Sequence, residues 1–240
     1  QELRTIRARQ INYDIFLFGS IFVMAIYHLG LFFLRRKIIS PLFFSAFCFL
    51  VALRILNTGE RYIMELFPAI SWQLQVKLEY LSFYLAVPMF TQFVYHLFSD
   101  RFSKKICTLI TILGLVFSAG VIFLPVRLFS QSLPVYQLFT LATFLYALYL
   151  LIVISFKKEL EAIIFLAGFF VIFLAALNDI LHNENIIQTG HFIQIGLFLF
   201  IFSQAFLQSL RFSDAFSIVD SHRQKMRETN QALQQEIADR

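Results

Sequence analysis

The sequence predicts an all-α integral membrane fold: a seven-transmembrane helix bundle, N-terminus outside and C-terminus inside, followed by a cytoplasmic parallel coiled-coil helix. Three observations carry that expectation. Of 240 residues, 59% are hydrophobic and 15% charged, too little polar surface to cover a soluble globule. The apolar residues fall in seven stretches, each near the roughly 20 residues that a helix needs to cross about 30 Å of hydrocarbon. After residue 210 the text turns polar and takes up a seven-residue hydrophobic spacing.

The seven stretches run about 15–34, 38–58, 73–98, 106–124, 135–156, 162–182 and 192–210. Good breakers separate them: RRK at 35–37, GERYIMELFPAIS at 59–71, SDRFSKK at 99–105, PVRLFSQSLP at 125–134, KKELE at 157–161 and HNENIIQTGH at 182–191. Membrane barrels alternate apolar and polar residues along each strand, whereas LFLFIF at 197–202 is apolar on every side. Helices are therefore expected throughout. Ser40-Pro41 suits a helix start, with serine as the cap and proline in the first turn. Pro88 predicts a kink in the third stretch.

Orientation follows from lysine and arginine asymmetry. With the N-terminus outside, nine basic residues fall on inner connections (Arg35, Arg36, Lys37, Arg101, Lys104, Lys105, Lys157, Lys158, Arg211) and three on outer ones (Arg61, Lys77, Arg127). Arg4, Arg7 and Arg9 oppose this, but a preceding folded domain would override local charge. The opening QELRTIRARQ has neither an initiator methionine nor a signal-peptide pattern. The expected organisation is 1–11 as the juxtamembrane end of a preceding extracellular domain, 12–210 as the membrane domain, and 211–240 as a signalling helix leading to an output domain.

In that last segment Phe216, Arg223, Asn230 and Ile237 take the a positions of a heptad, and Val219, Met226 and Leu233 the d positions. Polar a residues such as Arg223 and Asn230 cost stability while fixing register and a low strand number. A homodimeric coiled coil is the sharp reading. A single solvated helix continuing the seventh stretch is the plain one.

Charged groups inside a span cost about 2.5 to 3.5 kcal/mol each on insertion scales and need partners or water. In this topology they gather at one level. Arg54 and Asn57 end the second stretch, followed by Glu60 and Arg61; Lys77 and Glu79 open the third; Asn178, Asp179 and His182 end the sixth; His191 and Gln194 start the seventh; Asp14 opens the first. This forms a polar layer within roughly 10 Å of the outer surface, at 1.5 Å per residue. Arg54 would pair with Glu79 or Asp179, whose carboxylates suit a guanidinium fork. The layer reads either as a clamp that locks the helices or as an outward-facing sensing site. The opposite halves of the helices look comparatively bare.

Several function classes fall away. The net charge of +5 comes from clusters between oily runs, which are orientation signals and not a nucleic-acid surface. Cys48 and Cys107 lie far apart in apolar text and make no disulfide framework or metal motif. His182, Glu184 and His191 lack convincing metal-ligand spacing. A Schiff-base chromophore needs a lysine in mid-membrane, and the seventh stretch has none. No cofactor is expected. No hydrolase elbow, HExxH or P-loop occurs, so this segment is not itself expected to be an enzyme. Trp72, Tyr62, Tyr80 and Tyr84 read as interfacial anchors and packing. A transporter would need a polar route through both leaflets; a passive anchor that only dimerises an enzyme would need no sensing layer.

The stretches LFFSAFCFLVALRILNTGERY, KLEYLSFYLAVPMFTQFVYHLF, LAGFFVIFLAALNDIL and TGHFIQIGLFLFIFSQAFLQSLRFSDAF, in this order, resemble the bacterial 7TMR-DISM family of seven-transmembrane receptors with diverse intracellular signalling modules. The likeness covers about residues 12–235. It implies a bacterial inner-membrane receptor with an extracellular β-sandwich domain before the first helix, through which a small molecule could act. It also implies an output module after the coiled coil: a histidine kinase, a nucleotide or diguanylate cyclase, or a phosphatase. The family's polar pattern falls on Arg54, Gly59, Glu60, Arg61, Glu79, Asn178 and Asp179, with no catalytic role implied.

Overall fold

The structure is a computed structural model that describes residues 2–58, 61–98, 102–156, 160–183, 186–190 and 192–238. The chain is helical: α1 (Glu2–Leu34), α2 (Ser40–Asn57), the single turn α3 (Ile63–Leu66), α4 (Trp72–Leu97), α5 (Lys104–Phe123) and the single turn α6 (Val126–Phe129). A 3-10 turn at Ser130–Ser132 leads into α7 (Leu133–Ser155), followed by α8 (Leu160–Asn183) and α9 (Ile193–Ala238). Two of the expected loops thus hold short helices of their own.

Among the described residues five segments are long and apolar enough to cross a membrane: Ile11–Leu34, Ser40–Asn57, Lys104–Phe123, Val126–Ser155 and Ala162–Asp179. The two remaining long helices fall short for different reasons. α4 has 26 residues but carries Gln73, Gln75, Lys77, Glu79, Gln92 and His96. The described apolar part of α9 is the shorter run Ile193–Leu207. Polarity in α4 is tolerable because it packs against both α2 and α5, so that polar side chains on it can meet protein and not lipid.

The core is aromatic. Phe44 of α2 meets Phe93 of α4 at 4.5 Å, Phe90 of α4 stacks on Phe169 of α8 at 5.7 Å, and Phe165 of α8 meets Phe200 of α9 edge-on at 5.5 Å. Tilted and edge-to-face pairs of this kind bind through the ring quadrupole as well as through contact area. They tie α2, α4, α8 and α9 together. A second cluster around Tyr84, Phe129 and Tyr136 joins α4 to α5, α6 and α7.

Local starts differ from expectation in one place. α2 does begin at Ser40-Pro41, but Ile39 occupies the cap position and the Ser40 hydroxyl makes no cap bond. Proline in the first turn is enough, since its missing N–H is one the helix leaves unsatisfied anyway. Ser71 caps α4 instead, accepting the Leu74 amide at 3.3 Å. α4 continues through Pro88 without a break.

α9 is one helix of 46 residues, about 69 Å long at 1.5 Å per residue. It runs from the bundle straight into the heptad region. Of the seam side chains, Arg223 and Met226 are exposed; those of Phe216, Val219, Asn230, Leu233 and Ile237 lie outside the described residues.

Candidate functional site

The polar side chains at the C-terminal end of α2 close onto the first turns of α4. Arg54, half-buried, donates from Nη1 to the Glu79 carbonyl oxygen at 3.1 Å, and its guanidinium lies 4.9 Å from the centre of the Phe83 ring. A planar cation can use both contacts at once, hydrogen bonds at its edge and the ring quadrupole at its face. Of the two acidic residues expected beside Arg54, Glu79 meets it through its backbone carbonyl oxygen.

Asn57 and Gln75 are fully buried beneath this pair. Gln75 Nε2 donates to the Asn57 carbonyl oxygen at 3.0 Å and reaches Glu79 Oε2 at 3.5 Å, the limit of a hydrogen bond. Asn57 Nδ2 turns back to the Leu53 carbonyl oxygen at 2.8 Å. Their remaining oxygens, Asn57 Oδ1 and Gln75 Oε1, are buried without a hydrogen-bond partner. Gln75 was not among the residues the sequence singled out; a glutamine one turn before Glu79 was the signal.

The second group is built on α8 and α9. Asp179 accepts the backbone amides of Phe192 at 2.7 Å and Ile193 at 3.2 Å. It therefore caps α9 from another helix, satisfying N–H groups that a helix start leaves open and placing negative charge at the positive end of the dipole. Asn178 Nδ2 donates to the Gly190 carbonyl oxygen at 2.7 Å, while its Oδ1 accepts from Thr189 at 2.8 Å. The adjacent Asn-Asp pair thus clasps the loop before α9 and the first turn of α9 together. The expectation that Asp179 would serve Arg54 gives way to this role, because three donors, the Thr189 hydroxyl and the amides of Phe192 and Ile193, converge on the pair.

The other expected members scatter. Lys77 donates to the Ile122 carbonyl oxygen at 2.7 Å, capping the C-terminal end of α5, where a cation is favoured. Arg61 is exposed with φ 52°, a left-handed conformation that few non-glycine residues adopt. Gln194 is half-exposed in the first turn of α9. Glu60 and His191 lie outside the described residues.

The opposite end of the bundle is less bare than its sequence suggested. His28 is fully buried in α1; its Nδ1 donates to the Met24 carbonyl oxygen at 2.8 Å, and its ring packs edge-on against Phe44 at 4.6 Å. Ser45 reaches the Ala25 carbonyl oxygen at 2.8 Å, Gln92 donates to Thr111 at 2.8 Å, and Gln204 is buried. These are single polar side chains in apolar runs, and only the packing shows that they face inward.

The groups described above clamp helix ends. No curated protein and no solved structure matches the chain. The family model described as 7TM diverse intracellular signalling matches residues 10–211. With its apolar helices and polar helix-end clamps, the chain belongs to that family of membrane signalling receptors and is a multi-pass membrane protein.

Proposed function

We propose that this chain is the transmembrane transducer of a bacterial inner-membrane receptor, with seven crossings, its N-terminus outside and a homodimeric coiled coil leading to a cytoplasmic output domain. The output would be a kinase, a nucleotide or diguanylate cyclase, or a phosphatase. The signal would enter at the outer end, from a small molecule held by a preceding extracellular domain. One observation supports this reading above others: α9 is unbroken from the clasp at Asp179 to Ala238. A shift at the clasp is therefore carried as a rigid rotation or translation to the tail.

A stimulus can move such a helix only by favouring one of two arrangements of the bundle. Inserting one or two residues between Leu210 and Phe216 should change the activity of the output domain, and inserting seven should largely restore it, since seven residues return the heptad to register. Equal activity for all three insertions would overturn coupling through α9. A passive anchor would also leave output unchanged in Asp179→Ala and Arg54→Ala chains that still insert.

A further inference from the structure

The face of α9 that the bundle leaves uncovered lies in the same heptad register as the tail. Carrying the a positions back from Phe216 in steps of seven gives Ser209, Phe202 and Ile195, and all three are exposed; the corresponding d positions, Ala205 and Phe198, are half-buried. Among the described residues, those buried in this part of α9 are Gly196, Phe200, Ile201, Gln204 and Leu207. They fall at b, f, g, c and f, so none occupies a, d or the neighbouring e. The bundle thus takes one side of the helix and leaves the seam side open over at least two heptads inside the apolar region.

That open side borders a groove of about 580 Å³ between α1 and α9, lined by Phe16, Gly19, Ser20, Val23, Phe198 and Phe202 among others. Within it Phe16 and Phe198 have ring centres 6.0 Å apart. Nothing stands within 4 Å of where a side chain on Gly19 would begin. Between helices in lipid, small residues allow the close backbone approach on which association depends. Apolar exposure alone does not distinguish this face, because any lipid-facing helix has it. Register does.

We infer that a second copy of this chain occupies the α1/α9 groove, so that the two α9 helices pair from Ile195 onward and the coiled-coil seam begins inside the membrane. The contact is isologous, each copy offering Phe202 to the groove of the other over Gly19, as two-fold symmetry requires. The inference rests on the dimeric tail proposed above and adds where the dimer begins. It also shortens the lever: the clasp at Asp179 is then about one turn from the dimer seam.

Single-cysteine variants in native membranes test it, with copper-phenanthroline oxidation as the probe and the unsubstituted chain, whose Cys48 and Cys107 are both buried, as the control. Phe202→Cys and Met226→Cys should each give a covalent dimer. Val116→Cys on α5, as exposed as Phe202 at 60%, should not. Gly19→Leu should reduce the Phe202→Cys product several-fold and spare the Met226→Cys product. Cross-linking at Met226 but not at Phe202 would overturn the inference, leaving the groove to lipid and the tail dimer intact. Failure at both positions would overturn the dimer itself, and equal cross-linking at Val116 would reduce all of it to random collision.

Discussion

The Tyr136 hydroxyl donates a hydrogen bond of 2.6 Å to the Tyr84 carbonyl oxygen, the acceptor left without its helical donor because Pro88, four residues on, has no N–H. The phenol of Tyr84 is itself used, lying 2.8 Å from Ser132 Oγ, and the two rings pack with centres 4.2 Å apart. A proline in a membrane helix is tolerated when a neighbouring helix satisfies the freed carbonyl, and α7 does that for α4. Tyr136→Phe should therefore destabilise the protein by about 1 to 2 kcal/mol, the range for an orphaned buried acceptor and for strong hydrogen bonds between membrane helices. Pro88→Ala returns an amide to the same carbonyl. In that background the penalty of Tyr136→Phe should shrink, and denaturation in detergent on the four chains of the cycle measures it; additive penalties would refute the assignment.

Gly114 of α5 faces the same proline. A methyl group there would lie 2.8 Å from Pro88 Cγ, closer than real side chains come, and 3.2 Å from the Tyr84 carbonyl oxygen, a tight contact. A proline ring and a helix backbone cannot step aside as a flexible side chain can. Gly114→Ala should cost about 1 to 3 kcal/mol, as overpacking does, despite the better helix propensity of alanine. Gly120→Ala, with only Leu124 Cδ1 at 3.8 Å, is the control, and its melting temperature should stay at or above that of the parent.

Arg54 should matter for how α2 holds α4. Arg54→Ala removes the donor to the Glu79 carbonyl oxygen and the cation over Phe83, so it should be destabilising by about 1 to 3 kcal/mol. Arg54→Lys should not substitute, because an ammonium cannot donate to the Glu79 carbonyl oxygen while laying a flat face on Phe83. Combining Arg54→Ala with Asp179→Ala should give additive losses, since the two residues serve different helix pairs. A large Arg54–Asp179 coupling energy in that cycle would overturn the division of the site into two groups.

What the sequence revealed of this site follows from the range of each interaction. The cost of burying charge is visible in one dimension: Arg54, Glu79, Asn178 and Asp179 stand out in oily text because lipid excludes such groups, and helix length fixes the level at which they sit. Direction around a helix is not visible in that way. Whether Asp179 faces Arg54 or the amides of Phe192 and Ile193 depends on how α9 is packed against α8, and His28 reads like any isolated histidine until Phe44 is packed against it. Apolar stretches were legible for the same reason, and five of the seven correspond to helices long and apolar enough to cross a membrane among the described residues. The polarity of α4 blurs the count, because a helix covered by neighbours no longer has to look like lipid.

Asp179→Ala should loosen the start of α9 without unfolding the bundle. The carboxylate satisfies two amides of the first turn, and loss of such a cap costs about 0.5 to 2 kcal/mol. That energy is local, because the aromatic contacts of Phe200 with Phe165 and Phe90 lie about two turns further along and hold the rest of the helix. Amide exchange at Phe192 and Ile193 should therefore accelerate by about ten-fold for each 1.4 kcal/mol lost, while exchange near Phe200 stays unchanged. Asp179→Asn keeps an acceptor oxygen but loses the charge that favours a helix start, so it should fall between the two. If exchange instead rose along all of α9, the clasp would be holding the whole helix in the bundle, and the rigid lever would have its pivot at Asp179 and not at the aromatic core.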